Sequence, residues 1–157
     1  MRPWPAQRLF LAESARCATK LLAVVPGSAS ARASQTLRAL ATRFQRFHEP
    51  VQIIVAGATA DDQTLMGFPN VFIAGRVEAE ELSNLLAPYN PGWLLTDFEH
   101  PQFGQPIVET ARTANRPVAF RDWSFGSLRS RNRDLAIAPD ANDASLAEAV
   151  AQWISRS

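Results

Sequence analysis

Residues 20–57 read KLLAVVPGSASARASQTLRALATRFQRFHEPVQIIVAG. Two largely apolar runs, 20–25 (KLLAVV) and 51–56 (VQIIVA), are each closed by glycine, the first through Pro26-Gly27 and the second at Gly57. Runs this short and this apolar suit strands covered on both faces of a sheet. Between them, apolar side chains recur at Leu37, Leu40, Ala41, Phe44 and Phe47, the spacing of a helix with one buried face. Pro50 ends it. The pattern predicts a helix over 34–47 and a strand–helix–strand unit, in which the two strands run parallel.

The same alternation continues. A short helix is expected over 61–66, a strand over 71–74 closed by Gly75, and a helix over 78–86 with Leu82, Leu85 and Leu86 inward. A fourth strand follows over 93–96. The next helix is expected over 106–113, with Pro106 in its first turn, where a missing N–H costs nothing. A fifth strand is read over 117–120, a loop rich in arginine and serine over 121–133, and a weaker sixth strand over 134–138. The last helix, 143–154, carries Leu146, Val150, Trp153 and Ile154 on one side and is capped by Asn142 or Asp143. The reading is one α/β domain, three-layered, doubly wound and Rossmann-like, over 20–157, with a mostly parallel sheet of about six strands. Residues 1–19 are read as an N-terminal linker or helix. In such a domain the ligand crevice lies at the carboxyl ends of the strands. Those ends carry residues 27–32, 57–59, 75–76, 97–104 and 121–127.

Bulk properties narrow the function classes. A chain of 157 residues with 46% apolar and 20% charged residues has the composition of a folded domain. Sixteen basic and fifteen acidic residues leave a formal charge of +1, too small for a field that recruits nucleic acid or an anionic membrane. Arg129, Arg131 and Arg133 lie together in one loop without a wider basic face, so no nucleic-acid partner is expected. Cys17 is alone, which excludes an intramolecular disulfide and a cysteine metal site, and His48 and His100 are the only histidines. No metal is expected. No apolar run approaches the ~18 residues of a membrane span, so no transmembrane segment is expected either. Arg2 and Arg8 flank an apolar patch, but Glu13 and Arg16 follow it, a poor signal peptide. A cytoplasmic setting is the expectation. No Gly-x-Gly-x-x-Gly fingerprint is present, which argues against a nicotinamide cofactor.

The segment 99–109 reads EHPQFGQPIVE, and 115–118 reads NRPV. It sets Glu109 about one turn inside the predicted helix, just after a strand. These residues resemble the C-terminal domain of the group-1 (family 4) glycosyltransferases of GT-B fold. That family carries Glu-x-Phe-Gly-x-x-x-x-Glu and then Gly-x-Pro-Val. Phe103, Gly104, Glu109, Pro117 and Val118 fall on the pattern, and 71–86 follows the family in order and spacing. Pro101 stands where the first Glu belongs, with Glu99 two residues early, and Asn115 stands where the family has Gly. Asn tolerates the left-handed conformation of a helix end, so that exchange preserves the cap.

The resemblance implies a role for each of these positions. Glu109 would accept hydrogen bonds from the ribose hydroxyls of a nucleoside-diphosphate sugar. The loop at Phe103 and Gly104 would meet the transferred sugar; with Pro101 in place of the first Glu, either Glu99, Asp97 or His100 reaches it across a two-residue bulge or that contact is absent. Backbone N–H groups of the 27–32 loop, including Gly27 and Ser28, would cradle the diphosphate at a helix N-terminus. Arg32 would neutralise the leaving group, with Ser28 where a second cation belongs. Amides near Ser124, Gly126 and Ser127 would meet the β-phosphate. Arg32 and Glu99 are thus the candidate catalytic residues. The resemblance also implies retention, no cofactor beyond the sugar donor, and a cleft shared with an N-terminal acceptor domain or partner chain that is missing here. The chain is expected to be the nucleotide-sugar-binding half, not competent for transfer alone, and in the full enzyme to be cytoplasmic or peripheral to the inner membrane.

The residues themselves leave plainer roles open. Glu109 can be a solvated helix carboxylate, Gly104 a turn glycine, Glu99 and His100 loop residues, and Arg32 an exposed cation. Two other readings of the whole chain follow. One is a degenerate Rossmann-like binding or assembly module without catalysis, favoured by Pro101 and by the single cation. The other is a flavodoxin-like regulatory domain, for which Asp97 offers the only acceptor aspartate.

Overall fold

The computed structural model describes residues 20–26, 30–46, 51–57, 59–76, 78, 81–97, 101–121 and 133–156. The elements are β1 (Lys20–Pro26), α1 (Ala31–Gln45), β2 (Val51–Ala56), α2 (Asp62–Met66), β3 (Val71–Gly75), α3 (Leu82–Leu86), β4 (Trp93–Asp97), α4 (Pro101–Thr113), β5 (Val118–Arg121), β6 (Leu135–Ile137) and α5 (Asp143–Arg156). The six strands form one sheet in the order β3-β2-β1-β4-β5-β6, and each neighbouring pair is parallel.

Alternation along each strand divides the core into two layers. Leu22, Val24, Ile53, Val55, Leu95 and Ile137 point to the face covered by α1, α2 and α5. Leu21, Ala23, Ile54, Leu94, Val118 and Phe120 point to the face covered by α3 and α4. The expected three-layer, doubly wound architecture is what is found. The observed strand order excludes the flavodoxin-like reading, whose order is 2-1-3-4-5.

Helix ends follow local chemistry. Ser30 caps α1 by accepting from Ala33 N at 3.1 Å, Asp61 caps α2 through Thr64 N at 3.2 Å, and Asn142 caps α5 through Ser145 N at 2.8 Å. At the end of α4, Asn115 has φ +58°. Its N–H donates to Arg112 O at 2.9 Å and that of Arg116 to Ala111 O at 2.8 Å, the paired bonds of a Schellman cap.

Four expectations about elements are corrected, the first being that α3 spans Leu82–Leu86 rather than 78–86. α4 starts at Pro101, not Pro106. Pro101 suits a first helical position as well as Pro106 does, and the residues between them contain no breaker except Gly104. Pro106 therefore sits inside the helix, where it leaves the carbonyl of Gln102 without an intrahelical donor. α1 starts at Ala31, three residues before the predicted 34, because the Ser30 cap sets its beginning. Arg121 is the last residue of β5 rather than the start of a loop; it is only 4% exposed, and its guanidinium donates to Pro139 O and Ala141 O at 3.1 and 3.2 Å. A buried arginine that satisfies two carbonyls staples the turn that leads into α5. Residues 1–19 lie outside the described residues.

Candidate functional site

The strand order reverses between β1 and β4. Connections from these two strands depart to opposite faces, leaving a crevice at their carboxyl ends. Pro26 and Asp97 pair in register there. The chain next enters helix at the N-terminus of α1 after β1 and at that of α4 after β4. Both helices therefore present a positive dipole end toward one side of the sheet.

One wall of the crevice is shaped by backbone contact. Gly57, just past β2, has φ +156°, and a Cβ there would lie 3.0 Å from both Cδ and Cγ of Pro26. Only glycine allows the end of β2 to close this tightly on the end of β1. Gly75, at φ +89°, ends β3 on the same side.

Arg32 lies in the first turn of α1 and is exposed, so it belongs to the helix rather than to the preceding loop. That turn contains no acidic residue. A cation at the positive end of a helix is unfavourable by about 0.3–1 kcal/mol unless an anion offsets it. Ser34, also near the start of α1, is 4% exposed, and its Oγ has no hydrogen-bond partner among the described residues. Sequence reasoning missed it. The available signal was a serine three residues before Leu37, on the apolar side of the helix.

Glu109 is exposed on α4, eight residues after Pro101. At 1.5 Å per residue that is about 12 Å, just over two turns, along the axis. The expected single turn is corrected by the earlier helix start. Ile107, Val108 and Ala111 bury the opposite side of α4 against the sheet. Gly104 is helical and is not among the positive-φ residues, so the loop expected at Phe103 and Gly104 is the start of α4 instead. Gly27, Ser28, Glu99, His100, Ser124, Gly126 and Ser127 lie outside the described residues. The structure thus sets Arg32 and Ser34 at one helix start beside the crevice, and Glu109 farther along the other helix.

Among the described residues, no three histidine, cysteine, aspartate or glutamate side chains gather as metal ligands. No helix among them is long and apolar enough to cross a membrane.

Solved structures share this fold. The glycosyltransferase GlyE in Streptococcus pneumoniae TIGR4 matches 85% of this chain with a TM-score of 0.56 at 16% identity. The lipopolysaccharide outer core galactosyltransferase WaaB, in its apo form, matches 87% with a TM-score of 0.59, also at 16% identity. The chain spans only 33% and 40% of the length of those two proteins. No protein-family model and no curated protein matches the sequence. By fold, the chain is a Rossmann-like domain of the kind that makes up part of these two glycosyltransferases.

Proposed function

We propose that this domain binds the nucleotide portion of a nucleoside-diphosphate sugar at the β1/β4 crevice and serves as the donor half of a retaining GT-B glycosyltransferase. Transfer then needs a second domain or chain that carries the acceptor. The observation that carries the reading is Arg32 in the first turn of α1 beside the crevice, with no acidic residue in that turn. A diphosphate there offsets the repulsion between the cation and the helix dipole, and it takes hydrogen bonds from backbone N–H groups at the helix start. As the bond to the sugar breaks, charge grows on the diphosphate, and the same groups stabilise it without reorganising. Glu109 on α4 would accept hydrogen bonds from the ribose hydroxyls. The likeness to domains of two glycosyltransferases supports this assignment over other ligands of a Rossmann-like crevice. No cofactor or metal is part of the proposal.

One observation favours a second reading, a binding or assembly module without catalysis. Residues 101–104 lie in α4, where a sugar-contacting loop was expected. Calorimetric titration with UDP, GDP and dTDP separates the two. Saturable binding of one nucleotide, lost in Glu109→Ala and weakened roughly tenfold in Arg32→Ala, supports the donor-domain reading. No heat at millimolar nucleotide would sink it and leave the assembly module.

A further inference from the structure

A second surface feature lies away from the crevice, over the outward face of α1. Helices α1 and α5 run in the same direction side by side. Thr36 of α1 meets Asp143 of α5, and one to two turns later Arg43 meets Glu148. Between these contacts both helices present small side chains, Ala39 on α1 and Ala144 and Ala147 on α5. The helices therefore approach without filling the space above their contact, and a groove of about 650 Å³ remains, which Phe68 also lines.

The charge in this groove is uneven. Helix α1 contains no aspartate or glutamate, and Arg38 and Arg43 on its outward face, with Arg46 at its C-cap, line the groove. Arg43 is taken by Glu148, with Nε 2.7 Å from Oε2, and this pairing holds the Glu148 carboxyl below its ordinary range. Asp143 is engaged by the Thr36 hydroxyl at the end of the groove nearer the start of α1. Arg38 and Arg46 make no hydrogen bond to a carboxylate among the described residues; the Asp61 carboxylate couples to Arg38 through charge alone. Gln35 and Thr42 supply neutral donors and acceptors on the same face.

We infer that this groove is a docking site for an extended acidic segment of a partner protein, with carboxylates set on Arg38 and Arg46. The two arginines are eight residues apart, Arg38 within α1 and Arg46 at its C-cap, about 12 Å along the axis. An extended chain covers that span in about four residues, and residues i and i+4 of a strand point the same way. The matching segment therefore carries two acidic residues four positions apart. The chain's formal charge of +1 gives no wider basic field to hold an anionic membrane, which favours a local acidic segment. Neither arginine belongs to the β1/β4 crevice, so the inference stands or falls independently of nucleotide binding.

The test is fluorescence anisotropy with the full chain and a labelled serine/proline peptide carrying two glutamates four residues apart. The expected result is saturable binding that weakens as salt shortens the Debye length from ~30 to ~8 Å. Arg38→Glu and Arg46→Glu should each weaken it at least two- to fivefold, as exposed ion pairs do, and the double variant should abolish it. Arg156→Glu, at the far end of α5, should change affinity less than twofold. Far-UV circular dichroism checks that each variant is folded. Undetectable peptide binding overturns the inference, as does equal binding by the double variant or an equal loss in Arg156→Glu. Binding to phosphatidylserine vesicles in place of the peptide overturns it in favour of a membrane surface.

Discussion

The Thr36 hydroxyl oxygen lies 2.6 Å from Oδ1 of Asp143, joining the second turn of α1 to the first residue of α5 across 107 positions of sequence. The same hydroxyl is 3.2 Å from Arg32 O. A hydroxyl has one proton to donate, and the shorter, charge-assisted contact takes it. This bond closes the domain by seating its last helix on its first, above the apolar contact of Leu37, Leu40, Leu146 and Val150.

Thr36 is 2% exposed, so its loss cannot be made good by water. Thr36→Val, which keeps the shape and removes the hydroxyl, should lower stability by about 1.5–3 kcal/mol. Thr36→Ser keeps the bond and should lose less. The urea midpoints of the two variants check the order, and a larger loss for Ser than for Val would contradict it.

A second polar joint lies between α4 and the end strands of the sheet. Asp134 accepts from Val118 N at 3.0 Å and from Arg112 at 3.1 Å, with a side chain only 3% exposed. Asp134→Ala strands a buried backbone N–H beside a largely buried guanidinium, and it should cost about 3–5 kcal/mol. Asp134→Asn preserves one acceptor and should cost less. Thermal unfolding of both measures this, together with Arg112→Ala to complete the cycle.

Asn115 adopts φ +58° as the cap of α4. The left-handed region costs an ordinary residue about 1–2 kcal/mol. Asn115→Ala should therefore destabilise by about 1 kcal/mol, and Asn115→Gly should be neutral or mildly stabilising. Equal melting temperatures for the Ala and Gly variants would remove the cap from the account.

The Arg43–Glu148 pair makes stability depend on pH. The hydrogen bond from Arg43, then that from Gln152, holds the Glu148 carboxyl below its ordinary value of 4.5. Folding therefore favours the ionised form. Its contribution is complete above the ordinary value and is lost as the pH falls through the lower, folded one. Asp61, lowered by its cap bonds to Thr64, acts with the same sign. Glu148→Gln should thus melt below the unsubstituted chain at pH 7, and the difference should shrink toward pH 3. A difference that grows in acid would reverse the assignment.

Much of this fold is legible in the sequence because apolar runs and their Gly and Pro boundaries are local signals. β2 falls on its predicted residues, and β1, β3 and β4 each extend by one. Strand order is not local: nothing in the periodicity of 71–75 says that this strand takes the sheet edge. The start of α4 was masked by two prolines, each acceptable at a first helical position. The burial of Arg121 was hidden because arginine is mostly exposed, and the carbonyls of Pro139 and Ala141 that receive its guanidinium are brought close only by the fold. At the site, the order of elements located the crevice. It did not locate Ser34, whose burial depends on how α1 packs, and it misjudged the depth of Glu109 along α4.

Pro26 ends β1 without an N–H to donate, and Gly57 closes against its ring. The parting of the sheet at this point therefore rests on main-chain chemistry and strand order. Binding chemistry on this scaffold can be rewritten without rebuilding it. A library diversified at Arg32 and its exposed neighbours should stay folded while its ligand preference changes, so the domain is a durable carrier of exchangeable chemistry.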